Sequence, residues 1–156
     1  MTSQRGRKVF IVHGHDVALR ESVARFLEKL ELESVILGEQ PEQGQTVIEK
    51  FEKHADVTYA VVLLTPDDMG YVATASSESA QPRARQNVVL ELGYFMAQLG
   101  RENIALLQAS QLELPSNLSG VLNVSTESED WKLRLAKELK SVGFDIDLNK
   151  IIEQKQ

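Results

Sequence analysis

Cysteine is absent from the 156 residues, which removes disulfides, thiolate zinc sites and cysteine nucleophiles together. Positive charge is also scarce: 17 lysines and arginines against 23 acids leave a net charge of −6, and no basic run offsets the acids. This balance argues against a protein whose main business is gripping a nucleic-acid backbone, although a small anion needs only backbone amides and two or three arginines. No apolar run approaches the length of a membrane span, and MTSQRGRK lacks the apolar core of a secretory signal. A soluble, cytoplasmic protein with neither membrane nor nucleic-acid partner is expected. Missing too are the glycine fingerprint of dinucleotide-binding folds, the phosphate-binding lysine loop and the serine nucleophile elbow. A conventional dehydrogenase or nucleoside triphosphatase is therefore not expected.

What the chain does have is apolar periodicity, with a hydrophobic fraction of 42% that suits one domain with a real core. KVFIV at 8–12 reads as a buried strand that HGHD breaks, with Asp16 as N-cap of a helix whose inner stripe is Leu19, Val23, Phe26, Leu27 and Leu30. SVIL at 34–37 is the next strand, and the proline and glycines of GEQPEQG mark a loop at 38–44. Thr46 and Glu49 form a capping box for a helix reaching about His54. YAVVLL at 59–64 reads as a third strand, and the small, polar, aperiodic stretch Met69–Pro82 as a mobile loop. IALLQA at 104–109 and GVLNVS supply two more strands, and Trp131, Leu135, Leu139 and Val142 define a last helix stopped by Gly143. Strands alternating with helices predict a flavodoxin-like, three-layer α/β fold with a central parallel sheet of about five strands and right-handed crossovers. One domain over residues 8–150 is expected, with 1–7 as an N-terminal extension and 151–156 as a tail or the start of a linker to a further domain.

Residues 83–99, RARQNVVLELGYFMAQL, carry the most chemistry. Val88, Leu92, Phe95, Met96 and Leu99 make a core-facing stripe, and at about 100° per residue Glu91 falls about 60° from its centre. A half-buried acid results, close to the carboxyl end of the preceding strand, where open α/β sheets place ligands. Most glutamates at a stripe's edge are solvated or salt-bridged; this one stands beside the loops 13–16, 38–45 and 65–68, where partial desolvation is available. Arg83 and Arg85, at the start of that helix, either contact solvent or hold a phosphate or diphosphate against the helix N-terminus. HGHD offers two imidazoles and a carboxylate, but without a further histidine nearby it reads as turn and cap chemistry, and no metal site is expected. Asp67 and Asp68 read as turn formers, with Asp67 able to face the cleft.

Taken in order, KVFIVHGHD, EQPEQGQTVIEKFE, YAVVLLTPDDMG, RARQNVVLELGYF and ELPSNLSGV resemble the bacterial TIR-like domains, some of which are effectors of the cyclic-nucleotide-triggered anti-phage systems CBASS and Pycsar. The resemblance runs from about residue 8 to 150. It implies an NAD⁺-cleaving site built from the first strand's loop, the so-called BB loop and a glutamate of the third helix. By position Glu91 matches the catalytic glutamate, and residues 38–45, with Gln43 and Gly44, match the BB loop. His13, Gly14 and Asp16 match the residues after the first strand, and Asn87 stands one turn before the glutamate on the same face. NAD⁺ is then the substrate rather than a cofactor. The implied partners are a second copy of the domain, met through the 38–45 loop, and a cyclic-nucleotide-sensing domain in cis or in trans.

An NAD⁺ glycohydrolase activated by self-association is the leading expectation. Two rivals stand beside it: an N-glycosidase like the nucleoside deoxyribosyltransferases, which also use a glutamate on an ELG-containing helix, and a non-catalytic TIR interaction module.

Overall fold

The computed structural model describes residues 6–37, 46–54 and 56–152. Five strands, β1 (Lys8–Val12), β2 (Glu33–Leu37), β3 (Ala60–Leu64), β6 (Ile104–Gln108) and β7 (Leu122–Ser125), form one parallel sheet in the order β2-β1-β3-β6-β7. From β1 the chain runs outward to β2, then returns to the other side of β1 and continues through β3, β6 and β7. The direction of winding therefore reverses between β1 and β3, and the loops leaving those two strands diverge to open a crevice. This is the expected flavodoxin-like fold.

Side-chain alternation along the strands assigns the two faces. Val9 and Ile11 pack with helices α1 (Val17–Lys29) and α4 (Trp131–Ser141), through Phe26, Leu27, Trp131, Leu135 and Leu139. Phe10 and Val12 meet the opposite layer, α2 (Val47–Glu52) and α3 (Gln86–Leu99), through Phe51, Val88, Leu92 and Phe95. The expected caps form: Asp16 accepts a hydrogen bond from Leu19 N at 2.9 Å, and Thr46 and Glu49 close a capping box on α2. α3 ends at Leu99, where Gly100 takes φ +90°, a conformation that a side chain would strain. The turn α5 (Asn149–Ile152) leans on the α1/α4 core through Ile151 and ties Lys150 to Glu31 at 2.8 Å.

Phe95 fixes α3 to the sheet. It is fully buried, with ring centroids 4.9 Å from Phe51, 5.5 Å from Tyr94 and 5.9 Å from Phe10. Glu91 stands one turn before it, so this aromatic cluster sets the depth at which the carboxylate sits. Phe95→Ala is expected to cost about 3–5 kcal/mol in urea unfolding, the usual price of a large side chain deleted from a close-packed core.

One expectation is corrected. The Met69–Pro82 stretch is not simply a loop: β4 (Asp68–Gly70) pairs antiparallel with β5 (Gln81–Arg83), and a 3-10 turn forms at Ser77–Ser79. Three-residue strands with no apolar alternation leave no periodic signal. What holds them is tertiary: Arg83 crosses Gly70 so closely that a Cβ there would lie 2.5 Å from its Nη1, and its Nη2 donates to Glu113 at 2.9 Å.

Candidate active site

At the crevice between β1 and β3 lies a cleft of about 410 Å³. The loop after β1 contributes His13, Gly14 and His15; the starts of α1 and α2 contribute Val17 and Val47; α3 contributes Asn87, Val88 and Glu91, and its N-cap Arg85. Its size is within the range of small-ligand sites, and its walls mix apolar surface with a few convergent polar groups.

Glu91 is the electrostatic centre. Its helix stripe buries Val88 and Leu92, which draws the neighbouring carboxyl half into the protein. Burial pushes that carboxyl up to about 7, and among the described residues no hydrogen bond or ion pair opposes the shift. A carboxylate desolvated and left without a partner is poised to meet positive charge.

The surrounding groups are arranged by local backbone chemistry. His13 Nδ1 lies 2.8 Å from Gly14 O, and since a carbonyl only accepts, Nδ1 carries the hydrogen. That leaves Nε2 as the ring's other nitrogen, buried and with no hydrogen-bond partner among the described residues. Arg85 occupies the N-cap of α3 and pairs loosely with Asp68, at 3.5 Å, both side chains partly in solvent. Among the described residues no side chain caps α3, unlike α1 and α2, so its first-turn amides keep their donors beside the cleft.

Of the sequence-selected residues, the cleft gathers Glu91, His13, Gly14, Arg85 and Asn87. It does not gather Asp16 or Arg83. The Asp16 carboxylate is turned into the first turn of α1, and Arg83 is spent on the β4–β5 ribbon and Glu113. Gln43 and Gly44 lie outside the described residues. Sequence reasoning passed over His15, Val17 and Val47 as site residues. The only signal for His15 was its place in HGHD, and the two valines show themselves only when the helix starts converge.

The fold and its cleft define the class: a flavodoxin-like α/β domain with an acid-bearing cleft at the switch point of its sheet. Residues 8–128 match the family described as the TIR domain of the CAP12/Pycsar effector protein, and the chain belongs to that family. It is 47% identical over 148 residues to the uncharacterized protein YuaY of Escherichia coli (strain K12), covering 94% of this chain and 49% of that one. It is 38% identical over 136 residues to protein tirC of Dictyostelium discoideum, covering 80% and 66%. It is 33% identical over 93 residues to the Pycsar effector protein PaPycTIR of Pseudomonas aeruginosa, covering 56% and 29%. The chain thus spans between 29% and 66% of these relatives' own lengths. Among solved structures it resembles hypothetical protein MJ1247 of Methanococcus jannaschii, for which a 3-hexulose-6-phosphate isomerase function was inferred. That match has a TM-score of 0.44 and 14% identity over 96% of this chain and 77% of the other, too slight to bear on function.

Proposed function

We propose that this TIR domain is an NAD⁺ glycohydrolase acting in anti-phage defence, with Glu91 as its catalytic residue. The observation that carries the reading is the half-buried Glu91 carboxylate in the switch-point cleft, desolvated and without a partner among the described residues. Family membership supports it.

The chemistry suits one carboxylate. In NAD⁺ the nicotinamide is already cationic and leaves as a neutral base when the ribosyl bond breaks, so no general acid is required, unlike ordinary glycosides with their paired carboxyls. Positive charge builds on the ribosyl carbon and ring oxygen as the bond opens. An ionised Glu91 stabilises that charge best where water is scarce, either electrostatically or by capturing the ribosyl carbon. Asn87, one turn earlier on α3 and also lining the cleft, would hold ribose hydroxyls. Arg85 and the uncapped α3 N-terminus offer donors for the diphosphate. Water attack gives ADP-ribose, and attack by the adenine of the same molecule gives a cyclic product.

The 38–45 loop borders this site in sequence, and we assign self-association to it, so that a neighbouring copy holds the site in its active arrangement. Activity per molecule is then expected to rise between nanomolar and high micromolar protein, whereas a flat profile with robust turnover at the dilute end would refute assembly-dependent activation. A cyclic-nucleotide-sensing domain, in cis or in trans, would drive that assembly.

Chromatography of products from NAD⁺ and, separately, from deoxynucleosides tests the reaction class. Nicotinamide release with deoxynucleosides untouched is the expected result. Base release or exchange from deoxynucleosides alone would replace the reading with a deoxyribosyltransferase-like N-glycosidase, and inertness toward both at every concentration would leave an interaction module.

A further inference from the structure

Asp67, just past the end of β3, has a part in the cleft although it does not line it. One of its oxygens, Oδ2, accepts hydrogen bonds from Thr65 Oγ1 at 2.8 Å and from the backbone N–H of His15 at 3.1 Å. Thr65 is almost wholly buried, and Asp67 N donates back to Thr65 O at 2.8 Å, so the carboxylate projects from a tight turn rooted in the core. The acceptor therefore starts from a rigid base at the end of β3 and ends on the loop that leaves β1. It joins the two strands whose loops diverge at the switch point.

Gly14 shows how close the approach is. A Cβ there would stand 2.0 Å from Asp67 Oδ2 and 3.2 Å from Thr65 Oγ1, so only glycine lets the loop come near enough for His15 N to reach the carboxylate. His13, Gly14 and His15 are themselves a wall of the cleft, and the His13 ring is oriented by the Gly14 carbonyl. Wherever Oδ2 holds this loop, it also sets where the His13 imidazole stands relative to α3.

We propose that Asp67 is a positioning residue for the Glu91 cleft, acting through the His13–Gly14–His15 wall, and that Gly14 is its obligatory steric complement. The inference rests on the NAD⁺ glycohydrolase reading for its kinetic consequence, though not for its geometry. A wall held by charge-assisted hydrogen bonds binds substrate in the ground and transition states alike, so its loss raises KM more than it lowers kcat.

The test measures kcat, KM for NAD⁺ and hydrogen exchange of the His15 amide in wild type, Asp67→Ala, Asp67→Asn, Gly14→Ala and the Gly14→Ala/Asp67→Ala double variant. Asp67→Ala is expected to raise KM about tenfold with kcat within about twofold, and to speed His15 exchange. Asp67→Asn keeps an acceptor oxygen and restores both. Gly14→Ala alone resembles Asp67→Ala, but the double variant is no worse than either single one, because the collision and the bond it disrupts vanish together. Unchanged His15 exchange in Asp67→Ala overturns the proposal, and so do effects of the two single variants that simply multiply. Faster exchange with KM unmoved in an active enzyme reduces Asp67 to a loop fastener and overturns its part in the site. A wild type that releases no nicotinamide strikes the glycohydrolase reading instead, and His15 exchange then judges the anchor alone.

Discussion

Glu91→Gln is expected to lower nicotinamide release from NAD⁺ by about a thousandfold or more while making the domain more stable above neutral pH. Both effects have one origin. The carboxylate is held where water solvates it poorly and, among the described residues, no cation or donor compensates. Preorganised charge aimed at a developing cation is worth several powers of ten in rate, and glutamine keeps the size of the side chain but not the charge. The cost of keeping that charge falls on folding. Glu91 titrates near its ordinary 4.5 in the unfolded chain and near 7 in the folded one, so between those values the folded state holds a proton that the unfolded state has lost. Its contribution is most favourable below about pH 4.5, declines as pH rises through that window and stays at its lower value above 7. Wild type and Glu91→Gln should therefore melt together near pH 4. At pH 8 the variant should melt higher by about 3 °C, the shift that on the order of 1 kcal/mol, discounted for solvent reaching the cleft, produces in a domain of this size. A site destabilised by its own catalytic group is the common form of the trade between stability and activity.

The second large effect is in the pH profile. If ionised Glu91 stabilises the ribosyl cation, kcat/KM for NAD⁺ should climb about tenfold per pH unit well below 7, bend near the raised value of about 7 and level off by pH 8. Were the protonated carboxyl needed as a general acid, the profile would fall over the same range. His13, His15 and Arg85 share the cleft, so the kinetic limb has to be assigned to its group directly. The ¹³C shift of the Glu91 carboxyl identifies the group: a midpoint there that coincides with the kinetic one assigns the limb to Glu91, whereas a carboxyl titrating near 4.5 would contradict the desolvation that the fold imposes.

The sheet and its two helical layers were legible because each element carried its own period. Val9 to Val12 and Ala60 to Leu64 are continuous apolar runs, and Leu19, Val23, Phe26 and Leu27 repeat at helical spacing. Glu91 was legible for a subtler reason: its angular offset from the Val88–Leu92–Phe95 stripe already implied half-burial. What one residue type at one position cannot convey is where its side chain is spent. Arg83 and Arg85 are two residues apart and read alike, yet one is taken by Glu113 and the β4–β5 ribbon while the other reaches the cleft. Asp16 reads equally well as cap or ligand and serves as a cap. Asp67 looks like any turn aspartate until β1 and β3 are set side by side and the missing Cβ of Gly14 acquires a reason.

Nicotinamide release from NAD⁺ by wild type and Glu91→Gln, followed side by side at pH 8 from nanomolar to high micromolar protein, tests the catalytic assignment most directly. Turnover by the wild type that grows with concentration, and none above background from a folded Glu91→Gln protein, is the predicted result. Equal release by both proteins, or no release by the wild type at any concentration, would contradict it.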